Sequence, residues 1–237
     1  GHAQFNPKDI PFMCFWLINT LISLKLFEDI YFNREIKFKK LIILSFLTAF
    51  LISIRIVGLL IFIQYFISLI ICSEKTKIPF FKFLKSNFIS FTIFFMFTFM
   101  FIVILNPIFW HNPLEIINSI KHMGKYPQNI GTLTNGSLMY SLNLPSSYYF
   151  IWLFFKLPIL IILGYCLFPL VESKIFKHDI VTLYYGTVTI TAPIIIIIFI
   201  LKDVALYDEL RHLLFIFPLL LITSLTNMYF FLKKKIF

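Results

Sequence analysis

Apolar positions in this chain come in long unbroken runs, with neither the period of two of a half-buried strand nor the stripe of a soluble amphipathic helix. A bilayer-crossing helix takes about 20 predominantly apolar residues. Residues 10–27, 88–109, 148–170, 182–201 and 213–232 meet that length and are predicted as spans. The stretch 41–72 is too long for one ordinary span, and Arg55 with Gly58 interrupts it near its middle. It reads as one long helix or as two short ones, 41–54 and 56–72.

Basic residues arbitrate, because splitting the stretch changes the side of every later loop and cytoplasmic loops are enriched in Lys and Arg. With seven spans and the amino terminus outside, the inner loops hold Arg34, Lys37, Lys39, Lys40, Lys75, Lys77, Lys82, Lys85, Lys174, Lys177, Lys233, Lys234 and Lys235. The outer segments then hold only Lys8, Arg55, Lys121, Lys125, Lys202 and Arg211. With six spans the balance is nearly even in either orientation. The split is favoured, so Arg55 is predicted at the outer face, at the tip of a tight helical hairpin. The predicted fold is an all-α polytopic membrane protein of about seven transmembrane helices, forming a single domain over residues 1–237 with an outer loop at 110–147.

Composition agrees. Of 237 residues, 59% are hydrophobic and 14% charged, against roughly 25% charged in a soluble domain. This excludes a cytosolic enzyme, a nucleic-acid module and a disordered tail. The net charge of +10 therefore reports orientation and not a nucleic-acid partner. Cys14, Cys72 and Cys166 all lie in apolar runs without disulfide or zinc spacing and read as small core residues. The chain begins Gly-His-Ala-Gln, with no initiator Met and no basic signal region, and this start reads as a cut in a longer chain.

The outer loop has signals of its own. Asn112, Pro113 and Glu115 form a capping-box-like start for a short interfacial helix that Gly124 would end. Lys125 to Ser147 is rich in Gly, Pro, Asn and Ser and reads as an irregular lid or binding loop. Asn135-Gly136-Ser137 is formally a glycosylation sequon, a short pattern of little weight.

Four polar positions carry candidate chemistry, each with a structural reading beside it. Asp9, next to Lys8 and directly before the first span, is either a solvated flanking charge or an acid able to take a proton or hold a metal ion. Arg55, between Ile54 and Ile56, either snorkels or binds a lipid phosphate through its planar donors. In Leu206-Tyr207-Asp208-Glu209-Leu210-Arg211-His212, Arg211 either pairs with Asp208 across one helical turn or, with His212, donates to a phosphate. Lys156, within the fifth run after the aromatic belt Tyr148, Tyr149 and Trp152, either snorkels or adds a second cation.

The segments Asn6 to Phe12, Ser53 to Gly58, Phe109 to Pro113, Asn143-Leu144-Pro145 and Leu206 to His212 together resemble the polyprenyl-phosphate-dependent glycosyltransferases of the GT-C superfamily. That group contains the protein O-mannosyltransferases and the lipid A aminoarabinose transferase, and the similarity runs across nearly the whole chain. The resemblance implies an enzyme of a bacterial inner membrane or a plasma membrane. It would move a sugar from a polyprenyl-phosphate donor to a lipid, protein or glycan acceptor at the extracytoplasmic face. By this resemblance Asp9 is the catalytic acid position, Lys8, Arg55, Arg211 and His212 bind the lipid phosphate, and Tyr126 and Asn143 belong to the acceptor or lid loop. No cofactor is fixed by it, and a divalent metal stays open. Family members also carry further spans and an acidic first outer loop upstream, so this chain is expected to be the carboxy-terminal part of such an enzyme. A lipid-phosphate-binding protein without transfer activity, a transporter or flippase, is the alternative.

Overall fold

The computed structural model describes residues 7–32, 34, 36–112, 115–122, 130–134, 136–141, 144–177, 179–202, 204, 206 and 211–233. In chain order the helices are α1 (Asp9–Tyr31), α2 (Phe38–Ile54), a 3-10 turn (Ile56–Leu60), α3 (Ile61–Lys75), α4 (Phe80–Ser86), α5 (Phe88–Leu105), α6 (Ile108–His111) and α7 (Glu115–His122). Two strands follow, β1 (Gly131–Thr134) and β2 (Ser137–Tyr140). The rest is α8 (Ser147–Lys156), α9 (Ile159–Cys166), α10 (Phe168–Ile175), α11 (Asp179–Leu201), a second 3-10 turn (Arg211–Ile216) and α12 (Phe217–Lys233).

Among the described residues, five helical stretches are long and apolar enough to cross a membrane: Asp9–Tyr31, Ile56–Lys75, Phe88–Leu105, Asp179–Leu201 and Arg211–Lys233. The bent pair α8 and α9 makes a sixth if it counts as one span. The surface confirms an apolar surrounding, since Phe81, Ile89, Leu201 and Phe155 are among the most exposed side chains while Asn19, Thr48, Gln64, Ser68 and Asn227 are buried. Exposed apolar side chains and buried polar ones are expected where lipid is the solvent and polar side chains serve as interhelical contacts.

Three expectations are corrected. The run 148–170 is not one helix: α8 and α9 meet at a bend of 114°. Pro158 has no backbone N–H and disfavours the helical conformation at the residue before it, and Leu157 is extended at φ −80 and ψ 133. The segment 125–147 is not wholly irregular, because β1 and β2 pair antiparallel from Gly131 opposite Tyr140 to Thr134 opposite Ser137. Gly136 in the connecting turn has φ +77, a left-handed conformation that glycine adopts without steric cost. Nor are all three cysteines core residues, since only Cys72 is buried.

The described residues fall into two compact units. One comprises Gly1–Ile10, His122–His178 and Val188–Phe237, the other Pro11–Lys121 and Asp179–Thr187. In the second unit α2 packs along α5, and α1 is tied to α2 and α3 by buried polar contacts. Trp16 Nε1 donates to Gln64 Oε1 at 3.0 Å, and Gln64 Nε2 donates to Thr20 Oγ1 at 2.8 Å. Tyr65 OH donates to Asn19 Oδ1 at 3.1 Å, and Asn19 Nδ2 donates to the Leu47 carbonyl at 3.2 Å. One end of this unit gathers acids and bases: Lys40 and Arg34 pair with Asp29, Lys75 pairs with Asp179, and Tyr184 OH donates to Glu28 Oε2.

In the first unit α9 packs on α12. Close approach there depends on Gly164, where an added Cβ would sit 2.8 Å from Ser224 Cβ. Asn227 Nδ2 then donates to the Gly164 carbonyl at 3.0 Å, and Ser224 Oγ donates to that of Ile161.

Candidate functional site

The first unit contains a buried ion pair. Asp9 opens α1, where a carboxylate complements the positive end of the helix dipole, and Pro11 sits in the first turn, where a missing N–H costs nothing. Arg211 opens the 3-10 turn that runs directly into α12. Leu206 on one side and Leu213, Phe215 and Ile216 on the other are almost wholly buried, which fixes the backbone around it. Arg211 Nε donates to Asp9 Oδ2 at 2.9 Å, with the Asp9 side chain 2% exposed and that of Arg211 22%. Asp9 is thus no solvated flanking charge. Asp208, the nearer candidate partner of Arg211 in the sequence, lies outside the described residues.

The remainder of this unit's end is aromatic and tied to the backbone. Tyr149 OH donates to the carbonyls of Phe199 at 3.3 Å and Val204 at 3.2 Å, fixing α8 to the chain as it leaves α11. Trp152 Nε1 donates to Thr134 Oγ1 at 3.1 Å, anchoring the hairpin on α8. Lys156 is exposed, with Nζ 5.6 Å from the centre of the Trp152 ring, within cation–π range. His212 is half-buried beside Arg211, and Lys8 is exposed beside Asp9. Tyr126 and Asn143, the loop candidates, lie outside the described residues.

Arg55 belongs to the second unit. It is half-buried and extended, at φ −150 and ψ 132, between the end of α2 and the first 3-10 turn. Its N–H donates to the Leu51 carbonyl at 3.3 Å and its own carbonyl accepts from Gly58 N–H at 2.8 Å. An added Cβ at Gly58 would meet the backbone of Leu51 and Ile52 at 3.0 Å, so the turn back onto α2 requires glycine there. The break at Arg55 is therefore present, with a 3-10 turn in place of a plain hairpin tip. Ala49, Ile52, Ile102 and Phe109 pack beneath it with Ile56 and Ile116 at the edge, and Asn106 Nδ2 donates to Ser53 Oγ at 2.8 Å. A short helix follows Asn112 as expected, α7, with Asn112 Nδ2 donating to Glu115 Oε1 at 3.3 Å; Pro113 and Gly124 lie outside the described residues.

Chemically, Asp9 orients a guanidinium through Nε. An Arg side chain carries further donors on Nη1 and Nη2 in a planar fork that matches a phosphate or carboxylate. Among the described residues no three His, Cys, Asp or Glu side chains gather as a metal set.

Sequence reasoning missed the polar face of α1, where Trp16, Asn19, Thr20 and Ser23 recur at helical spacing inside an apolar run. That spacing was the available signal. Comparison of the chain with protein-family models, with curated proteins and with solved structures finds no match.

Proposed function

We propose that the chain is a membrane glycosyltransferase, moving a sugar from a polyprenyl-phosphate donor to an acceptor at the extracytoplasmic face. The observation that carries the reading is the Asp9–Arg211 pair: a buried carboxylate holding an Arg in one orientation at the start of a span. A buried ion pair is weak evidence of stabilisation, because desolvation offsets most of its Coulomb energy. An oriented guanidinium is, in contrast, the usual device for neutralising a phosphate leaving group.

In this reading the chain has seven spans, counting α2, a 17-residue helix, and the α8–α9 pair as one each. The basic end of the second unit, with Lys37, Lys39, Lys40, Lys82 and Lys85, faces the cytoplasm. The acceptor oxygen attacks the anomeric carbon, the bond from that carbon to the phosphate oxygen breaks, and the bonding pair leaves on the phosphate, which Arg211 and His212 receive. A carboxylate takes the acceptor proton. Asp9, committed to Arg211, acts as a positioning residue, a narrower role than the catalytic one its place in the sequence gave it. Lys8 remains a lipid-phosphate contact in this proposal, and Arg55, which belongs to the second unit, is given no part in the Arg211 site.

The test is transfer from polyprenyl-phosphate-linked sugars by the full-length protein in membranes. Arg211→Ala is expected to abolish turnover while the protein still inserts in the membrane, and unchanged turnover overturns the proposal. The bend at Leu157–Pro158 favours one second reading, a lipid-phosphate transporter, because broken helices line substrate paths in such proteins. That reading predicts translocation of a fluorescent lipid phosphate in proteoliposomes without any glycosylated product.

A further inference from the structure

The second unit encloses a cavity of about 560 Å³ among α1 to α5. Its wall is apolar: Leu26, Leu44, Leu69, Phe91 and Phe94 represent the helices that surround it, and its few polar wall groups, such as Tyr65 OH and Thr92 Oγ1, are engaged in hydrogen bonds within the protein. Volume and wall are those of a ligand site, which typically has about 300–1,000 Å³ and a mostly hydrophobic lining. Three of the wall residues, Phe66, Phe88 and Phe95, are more than half exposed. The cavity's border is therefore continuous with the apolar outer surface of the helices, which in a membrane is the lipid phase.

One end of the cavity differs. Ile36 lines it immediately before Lys37, and Leu84 lines it between Lys82 and Lys85. Lys37, Lys82 and Lys85 are all exposed. The short helix α4 is built for an interface: Phe83 is 1% exposed, Leu84 lines the cavity, and Lys82 and Lys85 stand outward. Ser45 bonds to the Phe94 carbonyl and Asn106 to Ser53, so α2 and α5 run in the same direction and their starts, preceded by Lys37 and by Lys82 and Lys85, share one end; among residues 36–40 and 80–86 the described charges are all positive.

The geometry points to a binding site for an anionic membrane phospholipid, with one acyl chain in the cavity and its phosphate held by Lys37 and Lys85. An acyl chain matches the apolar wall, which has no charged residue in its lining. Charge complementarity at the rim selects an anionic over a zwitterionic headgroup, as basic pockets between membrane helices do. Free phosphate or a soluble anion would leave the cavity unfilled. The site lies wholly in the second unit and uses neither Asp9 nor Arg211, so it stands whether or not the chain transfers sugars.

The test uses the purified, delipidated full chain in mild detergent, offered dioleoyl phosphatidylglycerol or dioleoyl phosphatidylcholine and read by native mass spectrometry. The wild type should retain phosphatidylglycerol several-fold better. The double substitution Lys37→Gln with Lys85→Gln should erase that preference while a lipid is still retained. Ser90→Trp, which puts an indole into the cavity from a small wall residue, should lose both lipids. Equal retention of the two lipids by the wild type overturns the proposal, and so does wild-type retention by Ser90→Trp. Should that variant not fold, a phosphatidylglycerol with a diazirine in its acyl chain decides the matter on the unaltered protein. Crosslinks concentrated on peptides spanning 84–95 support the site, and crosslinks spread evenly over all exposed helices overturn it.

Discussion

Arg211 Nε and Asp9 Oδ2 lie 2.9 Å apart although 202 positions separate them in the sequence. Removing the cation takes this partner from a carboxylate that is 2% exposed, and breaking such a pair typically costs about 3–5 kcal/mol. Because Arg211 itself is 22% exposed, the lower end applies.

Arg211→Ala is therefore expected to destabilise the detergent-solubilised protein by about 3 kcal/mol. Adding Asp9→Asn to that variant should recover a large part of the loss, because the buried charge goes with it. Thermal unfolding of the two single variants and the double variant measures the coupling. Strictly additive losses would show that the two side chains do not act as a pair.

Orientation is checked by cysteine labelling in a background without Cys14, Cys72 and Cys166. Ser137, at the start of β2, and Lys82, on α4, are both exposed. Replaced one at a time by Cys, Ser137 should react with a membrane-impermeant maleimide added to intact cells and Lys82 only after permeabilisation. Labelling of both from the same side contradicts the seven-span arrangement.

Gly164 tests the packing of α9 on α12. A methyl group there would lie 2.8 Å from Ser224 Cβ and 2.9 Å from the Ser224 carbonyl oxygen, so the helices must separate. Overpacking of this kind costs about 1–3 kcal/mol, and in a membrane it also removes the close approach that small residues permit. Gly164→Ala should lower the melting temperature, and combining it with Ser224→Gly should restore part of the fall, since Ser224 supplies the clashing Cβ.

Gln64 tests the polar clasp of the second unit. It accepts from Trp16 and donates to Thr20, all three being buried. Interhelical hydrogen bonds in membranes average only about 0.6 kcal/mol, so Gln64→Leu, which removes two, should cost about 1 kcal/mol. Gln64→Glu should cost distinctly more, because it buries a charge. Denaturant titration of both variants reads the order.

Much of this architecture was legible along the chain, for identifiable reasons. Lipid as solvent enforces long apolar runs, and an Arg inside one is conspicuous, so the break at Arg55 could be read from residue type and charge balance alone. The bend at Leu157–Pro158 carried an equally local signal, a proline, but the apolar run continues across it and hides the geometry. The hairpin was announced by Asn135-Gly136, a dipeptide favoured in two-residue turns, which the sequon reading of the same residues obscured. The Asp9–Arg211 pair had no local signal at all. Taken alone, Asp9 has a nearer candidate in the sequence, Lys8, and Arg211 has Asp208, and no local pattern points from Asp9 to Arg211.

The bend itself yields the last prediction. Leu157 is extended because the following ring disfavours its helical conformation, and α8 and α9 diverge by 114° from that point. If the ring alone imposes the bend, Pro158→Ala should let the two helices join. Spin labels at Leu153 and Leu163, both reached by Cys substitution in the cysteine-free background, would then stand about 15 Å apart along a continuous helix. If surrounding contacts impose it, the label distance will stay at the wild-type value. Those contacts are strong: Tyr149 OH bonds to two carbonyls from α8, and Gly164 and Ile161 receive Asn227 and Ser224 from α12. They hold both arms independently of Leu157, so the expected outcome is an unchanged distance with a lower melting temperature. A variant that straightens would show that the proline, and not the packing of either arm, sets the shape of this break.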